Sequence, residues 1–182
     1  MTIKEAAVEN LKDIKEILDS LNIVVWIDGG TALGAYRDKD FCEDDEDDID
    51  LCCTYDNINF KEAIIKLALA KGFELWHNWK MEIAITRNGS KIDLFFYKKQ
   101  GNEYFSHLYD GDVVHSWCVV PEKYYENLED IEFYGMMFKI PGPIEEYLDF
   151  KYGDWNTKIH RRDYLCVNAD QNKVVRKHYE EI

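Results

Sequence analysis

Apolar residues near the start of the chain recur at the spacing of one face of an α-helix. They are Ile3, Ala7, Leu11, Ile14, Leu18 and Leu21. This spacing predicts an amphipathic helix over residues 3–21. A second helix is predicted over 60–71, where Gly72 ends it. A third begins at Pro143, a residue favoured in a first turn, and a polar helix over about 170–180 closes the chain.

Between these helices the pattern changes to short apolar runs typical of β-strands. The predicted strands cover 23–28, 49–54, 73–77, 81–87 and 91–98, with further short strands and loops over 103–140. Gly29-Gly30 ends the first strand, a short helix follows over 31–36, and Asn88-Gly89 is a hairpin signal. The order predicts an α/β (α+β) fold in which helices flank a mixed β-sheet, as a single domain over residues 1–182.

Composition excludes several classes of function. Hydrophobic residues make up 46% of the 182 residues, which is typical of a globular domain. The net charge of −14 disfavours bare nucleic acid as a partner, because phosphate binding needs clustered Lys and Arg. A nucleotide held through a metal ion remains possible. No segment is apolar enough to span a membrane, and the charged N-terminus lacks the apolar centre of a signal peptide.

Cysteine and histidine usage indicates a reducing compartment. The five cysteines are an odd number without a C-x-x-C pair, so we expect reduced thiols in a cytoplasmic protein and no zinc site. Because the histidines are scattered, we assign them no catalytic role. They are His77, His107, His115, His160 and His178. The segment His160–Arg162 is the best basic cluster in this acidic chain, and it could reach a substrate phosphate.

The candidate chemistry begins with an acidic run. Seven of the eight residues from Glu43 to Asp50 are acidic, and they lead into an apolar strand. Most of the run is typical of a solvated loop. Asp48 and Asp50, however, lie two positions apart on the strand, so their carboxylates share a face and could hold one Mg²⁺ or Mn²⁺. An EF-hand is excluded, because a loop starting at Asp38 has Glu43 where glycine is required.

Asp93 could complete this site. It lies inside the apolar strand KIDLFFY, where an unpaired carboxylate is costly. If that strand pairs beside IDLCCT, Asp93 can join the metal site as a third ligand or act as a general base.

The segment DGGTALG suggests a phosphate-binding turn. Gly29 and Gly30 would let backbone N–H groups approach a phosphate at a helix N-terminus, and Thr31 adds a hydroxyl. Arg37 and Lys39 could neutralise phosphate oxygens. A glycine pair alone is more often an ordinary turn. The order of this turn, the two aspartates and Asp93 is what favours a site.

These motifs resemble the LicD/fukutin family of the polymerase-β-like nucleotidyltransferase superfamily. The resemblance lies in GGTALGAYR followed by EDDIDL, and in EYLDFKYGDW near residue 150. It implies a metal-dependent transferase that moves a phospho-alcohol from a CDP-activated donor, such as CDP-choline or CDP-ribitol, to a glycan or small-molecule hydroxyl. It also implies metal ligation by Asp48, Asp50 and Asp93, with phosphate contacts from the glycine turn and Arg37.

Two other hypotheses remain open. The same fold could transfer a nucleoside monophosphate from an NTP to a small molecule or protein. Alternatively, the domain could be a non-catalytic nucleotide-binding module. The three aspartates argue against the second of these, since a site without function has no reason to keep a costly acidic cluster.

Overall fold

The first predicted helix, α1, runs from Ile3 to Ser20 in a computed structural model that describes residues 1–43, 45–110 and 113–159. Thr2 caps it, because its hydroxyl accepts from the Glu5 amide at 3.1 Å while the Glu5 carboxylate accepts from the Thr2 amide at 2.7 Å. The other described helices are α2 (Gly29–Arg37), α3 (Lys61–Ala70), α4 (Glu122–Tyr125) and α5 (Ile144–Tyr152), with a 3-10 helix at Tyr55–Phe60.

The described part of the chain forms nine β-strands that share hydrogen bonds. They are β1 (Trp26–Ile27), β2 (Asp48–Thr54), β3 (Glu74–Trp79), β4 (Glu82–Arg87), β5 (Ser90–Gln100), β6 (Glu103–Asp110), β7 (Val113–Pro121), β8 (Glu129–Phe133) and β9 (Met136–Ile140). The main path runs β3-β4-β5-β2-β1-β9-β8, and the β6–β7 hairpin continues from β5.

The sheet mixes parallel and antiparallel pairs, as the sequence predicts. β2 pairs with β5 and β1 pairs with β9 in parallel, whereas the other neighbours are antiparallel. Helices α1 and α3 pack on each other and against this sheet, so the fold is a mixed sheet flanked by helices.

Alternation along β2 and β5 separates an apolar face from a polar one. Ile49 and Leu51 are fully buried, as are Ile92 and Leu94 of the partner strand. Residues between them point to the opposite face, because successive side chains of a strand alternate. The polar positions of β2 and β5 therefore lie on one side of the sheet, where the candidate site forms.

Beside the glycine turn, β1 and α2 differ in their bounds from the sequence predictions. The strand predicted over 23–28 is wrong in length, since only Trp26 and Ile27 pair with β2. Asn22 adopts a left-handed backbone with φ of 56° and Val24 is exposed, so the preceding segment connects α1 to the sheet. Helix α2 begins two residues earlier than predicted, at Gly29. The C-terminal helix predicted over about 170–180 and the segment His160–Arg162 lie outside the described residues.

Candidate active site

The parallel pairing of β2 with β5 brings the three aspartates together. Asp50 lies directly opposite Asp93, and Asp48 lies opposite Lys91. Cross-strand partners share a face of the sheet, so the carboxylates converge. The ammonium group of Lys91 lies between two of them, 3.0 Å from Asp48 Oδ1 and 2.7 Å from Asp93 Oδ2. Lys91 therefore pairs with two of the three carboxylates, those of Asp48 and Asp93.

The electrostatics of this cluster favour an added cation. Burial raises the pKa of Asp50 well above its ordinary value, and the charges of Asp48 and Asp93 raise it further. Burial also raises the pKa of Asp93 to about 6, although Lys91 acts in the opposite direction. Asp93 Oδ1 is buried without a hydrogen-bond partner. Crowded carboxylate oxygens with one unpartnered atom fit Mg²⁺ or Mn²⁺, which take hard oxygen ligands.

The glycine turn contacts this cluster directly. Gly29 has a φ of 55°, and a Cβ atom there would lie 2.0 Å from Asp50 Oδ2. Only glycine satisfies both conditions. The buried Thr31 hydroxyl accepts from the Asp50 amide at 2.9 Å, so it fixes α2 to β2. The N-terminus of α2 therefore lies against the aspartates.

A buried ion pair that the sequence analysis missed supports this turn. Asp28 precedes the glycines and accepts from the Gly29 amide at 2.6 Å, which caps α2. Its carboxylate also accepts from Lys151 Nζ at 2.6 Å, from Tyr125 Oη at 2.5 Å and from the hydroxyl of Tyr147. Burial opposes ionisation of Asp28, but Lys151 and these hydrogen bonds outweigh it and lower its pKa. The Asp-Gly-Gly sequence before a helix was a visible capping signal, whereas the distant lysine gave none.

A cavity of about 280 Å³ opens between the turn and this ion pair. Asp28, Gly29, Gly30, Asp50 and Lys151 line its polar side. Cysteine, leucine and aromatic side chains from the sheet and from α5 line the rest. The glycine turn therefore faces a concave space large enough for part of a small substrate.

The structure does not bring Arg37 and Lys39 into contact with the aspartates. The guanidinium of Arg37 pairs with Asp38 at 2.8 Å and donates to the Trp155 carbonyl at 3.0 Å. Its guanidinium also contacts the thiol of Cys42, which donates to the Gly30 carbonyl of the glycine turn. Lys39 Nζ lies 5.1 Å from the centre of the Tyr36 ring. The phosphate contacts expected of Arg37 and Lys39 stay predictions.

Another cluster adjoins Asp93. His77 of β3 and Glu82 of β4 offer ligand atoms that lie, with that of Asp93, within 4.8 Å of one another. The sequence analysis assigned His77 no role, because the histidines are scattered along the chain. Within the described part of the chain, Cys42, Cys52, Cys53 and Cys118 form no disulfide bond.

Among the described residues, no helix combines the length and apolar character that crossing a membrane requires.

A curated relative, the uncharacterized protein RT0683 of Rickettsia typhi, is 29% identical over 150 residues, which are 80% of this chain and 45% of the relative. The chain therefore spans less than half the length of that relative.

Solved structures with the same fold include two antibiotic-modifying enzymes. The lincosamide antibiotic adenylyltransferase LnuA bound to lincomycin is 10% identical with a TM-score of 0.50, over 77% of this chain and 83% of that one. ANT(2'')-Ia in solution is 16% identical with a TM-score of 0.57, over 94% and 83%. Its complex with adenylyl-2''-tobramycin is 14% identical with a TM-score of 0.52, over 92% and 86%.

The family model of the LicD/FKTN/FKRP nucleotidyltransferase domain matches residues 22–142. This range contains the glycine turn and all three aspartates, and it covers more than half of the chain. The family and the shared fold support a nucleotide-related transferase. The chain belongs to the LicD/FKTN/FKRP nucleotidyltransferase domain family.

Proposed function

We propose that this domain is a metal-dependent phosphotransferase. It moves a phospho-alcohol, such as phosphocholine or ribitol phosphate, from a CDP-activated donor to a hydroxyl of a glycan or small molecule. One observation carries the proposal. Asp50 lies opposite Asp93 across two parallel strands while Gly29 packs against Asp50. A set of oxygen ligands and a phosphate-binding turn thus share one surface.

Asp48, Asp50 and Asp93 are the residues that would hold the metal ion. A bound Mg²⁺ or Mn²⁺ would offset the charge of the donor's pyrophosphate during transfer. Lys91 holds Asp48 and Asp93 in position and neutralises part of their charge. It therefore keeps the site assembled when the cation leaves.

The chain's own groups bind and orient the donor. The backbone N–H of Gly30 and the N-terminal end of α2 favour a phosphate, whereas the N–H of Gly29 already donates to Asp28. Asp28 and Lys151 fix that turn from the buried side. The neighbouring cavity gives room for the group attached to the phosphate.

The acceptor hydroxyl attacks the phosphorus that carries the alcohol, and CMP leaves with the bonding electrons of the broken phosphoanhydride. No covalent enzyme intermediate is needed, so positioning and charge stabilisation provide the catalysis. Asp93 would serve first as a ligand of the metal ion, and its carboxylate could also accept the proton of the acceptor hydroxyl. Measurements on the variant Asp93→Asn distinguish the two roles. Loss of a ligand weakens Mg²⁺ binding, whereas loss of a base lowers only the rate, by ~10²–10⁴-fold.

Nucleotidyl transfer is the second candidate, because two structures of the same fold are an adenylyltransferase and a complex with an adenylylated antibiotic. In that reaction the acceptor attacks the α-phosphorus of an NTP and pyrophosphate leaves. The nucleotide then stays on the acceptor, whereas CDP-dependent transfer releases CMP.

The experiment starts with a thermal-shift screen of CDP-choline, CDP-ribitol, CDP-glycerol, CTP and ATP, each with Mg²⁺ or Mn²⁺. A ligand of the native state raises Tm by mass action. The best donor is then incubated with candidate acceptors, and CMP, pyrophosphate and the modified acceptor are measured. Asp50→Asn should abolish turnover, and Asp130→Asn, which changes an exposed carboxylate of β8, should not. A non-catalytic module would bind a nucleotide without forming any product, and the proposal fails on that result.

A further inference from the structure

A histidine, a glutamate and an aspartate meet on three adjacent strands at one end of the sheet. His77 lies on β3, Glu82 on β4 and Asp93 on β5. The register pairs His77 with Ala84, and Ala84 with Asp93, so their side chains share one face. His77 Nε2 lies 2.7 Å from Glu82 Oε1, and one ligand atom from each residue lies within 4.8 Å of the others.

A β-bulge in the edge strand places the histidine there. The register between β3 and β4 shifts between Leu75 and His77. Without this shift, Trp76 would lie opposite Ala84 and His77 would point to the other face, because one residue of slip reverses a strand. The bulge leaves Trp76 70% exposed and turns His77 inward. Bulges of this kind often re-aim a side chain beside a functional site.

Burial makes the cluster costly without a further partner. Glu82 is 5% exposed and Asp93 is 6% exposed. Asp93 Oδ2 accepts from Lys91 at 2.7 Å, but its Oδ1 has no partner. Within the described part of the chain, the ion pair of Glu82 is with His77. Nearby Lys61 directs its Nζ to the carbonyl of Trp79 instead.

The histidine ring is held in one orientation. The ring of Trp79 stacks on it with centroids 3.5 Å apart and an interplanar angle of 12°. A hydrogen-bonded His-Glu pair would account for these two side chains alone. It would not account for a second buried carboxylate that converges on them with an unpartnered oxygen.

We propose that His77, Glu82 and Asp93 form a second cation site, selective for a divalent first-row transition metal such as Mn²⁺ or Zn²⁺. An imidazole with two carboxylates suits these ions, whereas Mg²⁺ prefers oxygen ligands and water. The site shares Asp93 with the aspartate cluster and rests on the proposed function only through that residue. A cation at this second site makes Asp93 a ligand of two ions, one in each site. It also places positive charge beside the acceptor.

The test counts bound ions on the full chain after removal of metals with EDTA. Free Mn²⁺ is followed by its paramagnetic resonance during titration, and nitrogen coupling to the bound ion reports imidazole ligation. The wild type should bind two Mn²⁺, and excess Mg²⁺ should displace one. His77→Gln and Glu82→Gln should each bind one, without nitrogen coupling. His107→Gln, which removes a histidine outside the cluster, should still bind two.

Asp48→Asn separates this proposal from the proposed function. If the wild type binds one ion that His77→Gln loses and Asp48→Asn keeps, the second site stands and the aspartate site fails. If the ions bound by the wild type survive in both His77→Gln and Glu82→Gln, the second site is overturned. If His77→Gln does not fold, the number of Mn²⁺ ions bound by Glu82→Gln alone decides whether the second site exists.

Discussion

Replacing Lys151 with methionine should destabilise the protein strongly, because it leaves Asp28 buried without its counter-ion. The pair lies at 2.6 Å, and the side chains of Lys151 and Asp28 are 14% and 3% exposed. Breaking a buried pair by removing one partner typically costs about 3–5 kcal/mol. Tyr125, Tyr147 and the Gly29 amide still donate to the carboxylate, so we expect the lower end of that range.

For a protein of this size, about 3 kcal/mol corresponds to a fall in Tm of roughly 6–12 °C. The assay is thermal unfolding by circular dichroism at pH 7, with urea unfolding as a second measurement. Lys139→Met is the matched control, because Lys139 pairs with Asp130 at the same 2.6 Å but both side chains are exposed. Surface pairs contribute at most about 1 kcal/mol.

The pH dependence of this difference has a definite sign. The folded-state pKa of Asp28 is lowered, so the stability that it contributes is present above its ordinary value of 3.8. That contribution is lost as the pH falls through the folded pKa. The difference in Tm between the wild type and Lys151→Met should therefore become smaller as the pH is lowered. At pH 7, adding Asp28→Asn to Lys151→Met should restore part of the lost Tm. Equal Tm changes for Lys151→Met and Lys139→Met would refute the reasoning.

Four other predictions each concern one position. Asp50→Asn should raise Tm in metal-free buffer, because it removes a crowded charge, and should abolish the stabilisation by Mg²⁺ that we expect for the wild type. Gly34→Ala should cost about 1–3 kcal/mol or more, measured by urea unfolding, because its Cβ would lie 2.5 Å from a backbone oxygen. Gly30→Ala should cost less, since its Cβ meets only the end of a flexible side chain. Burial lowers the pKa of Lys61 to about 8, so stability should rise as the pH increases from 8 towards its ordinary pKa of 10.5, and Lys61→Met should lack this rise.

Local periodicity was enough to predict the elements that carry the aspartates. The spacing of apolar residues located α1, and the short apolar runs over 49–54 and 91–98 located β2 and β5. The sequence analysis made the pairing of these two strands a condition for a shared site, and their register shows that they pair. The roles of Asp48, Asp50 and Asp93 in catalysis and metal binding stay predictions.

Long-range contacts account for what the sequence did not reveal. Lys151 reaches Asp28 across 123 positions, and neither residue shows its partner locally. His77 lies in a strand whose regular alternation would point it away from Asp93, and only the bulge reverses that direction. The sequence shows the charge of Arg37 but not the Trp155 carbonyl and the Asp38 carboxylate that its guanidinium contacts, and its contact with phosphate stays a prediction.

The parallel pairing of β2 with β5 also affects how the chain is made. The 3-10 helix, α3, β3 and β4 separate the two strands, so β2 must wait for a partner that is synthesised much later. An unpaired apolar strand is a template for pairing with another copy, and charges at its end act as gatekeepers against this. In the sequence, seven of the eight residues 43–50 are acidic, and they lead into β2. The same charge that we propose to hold a cation in the folded protein thus repels identical strands while the chain is still incomplete.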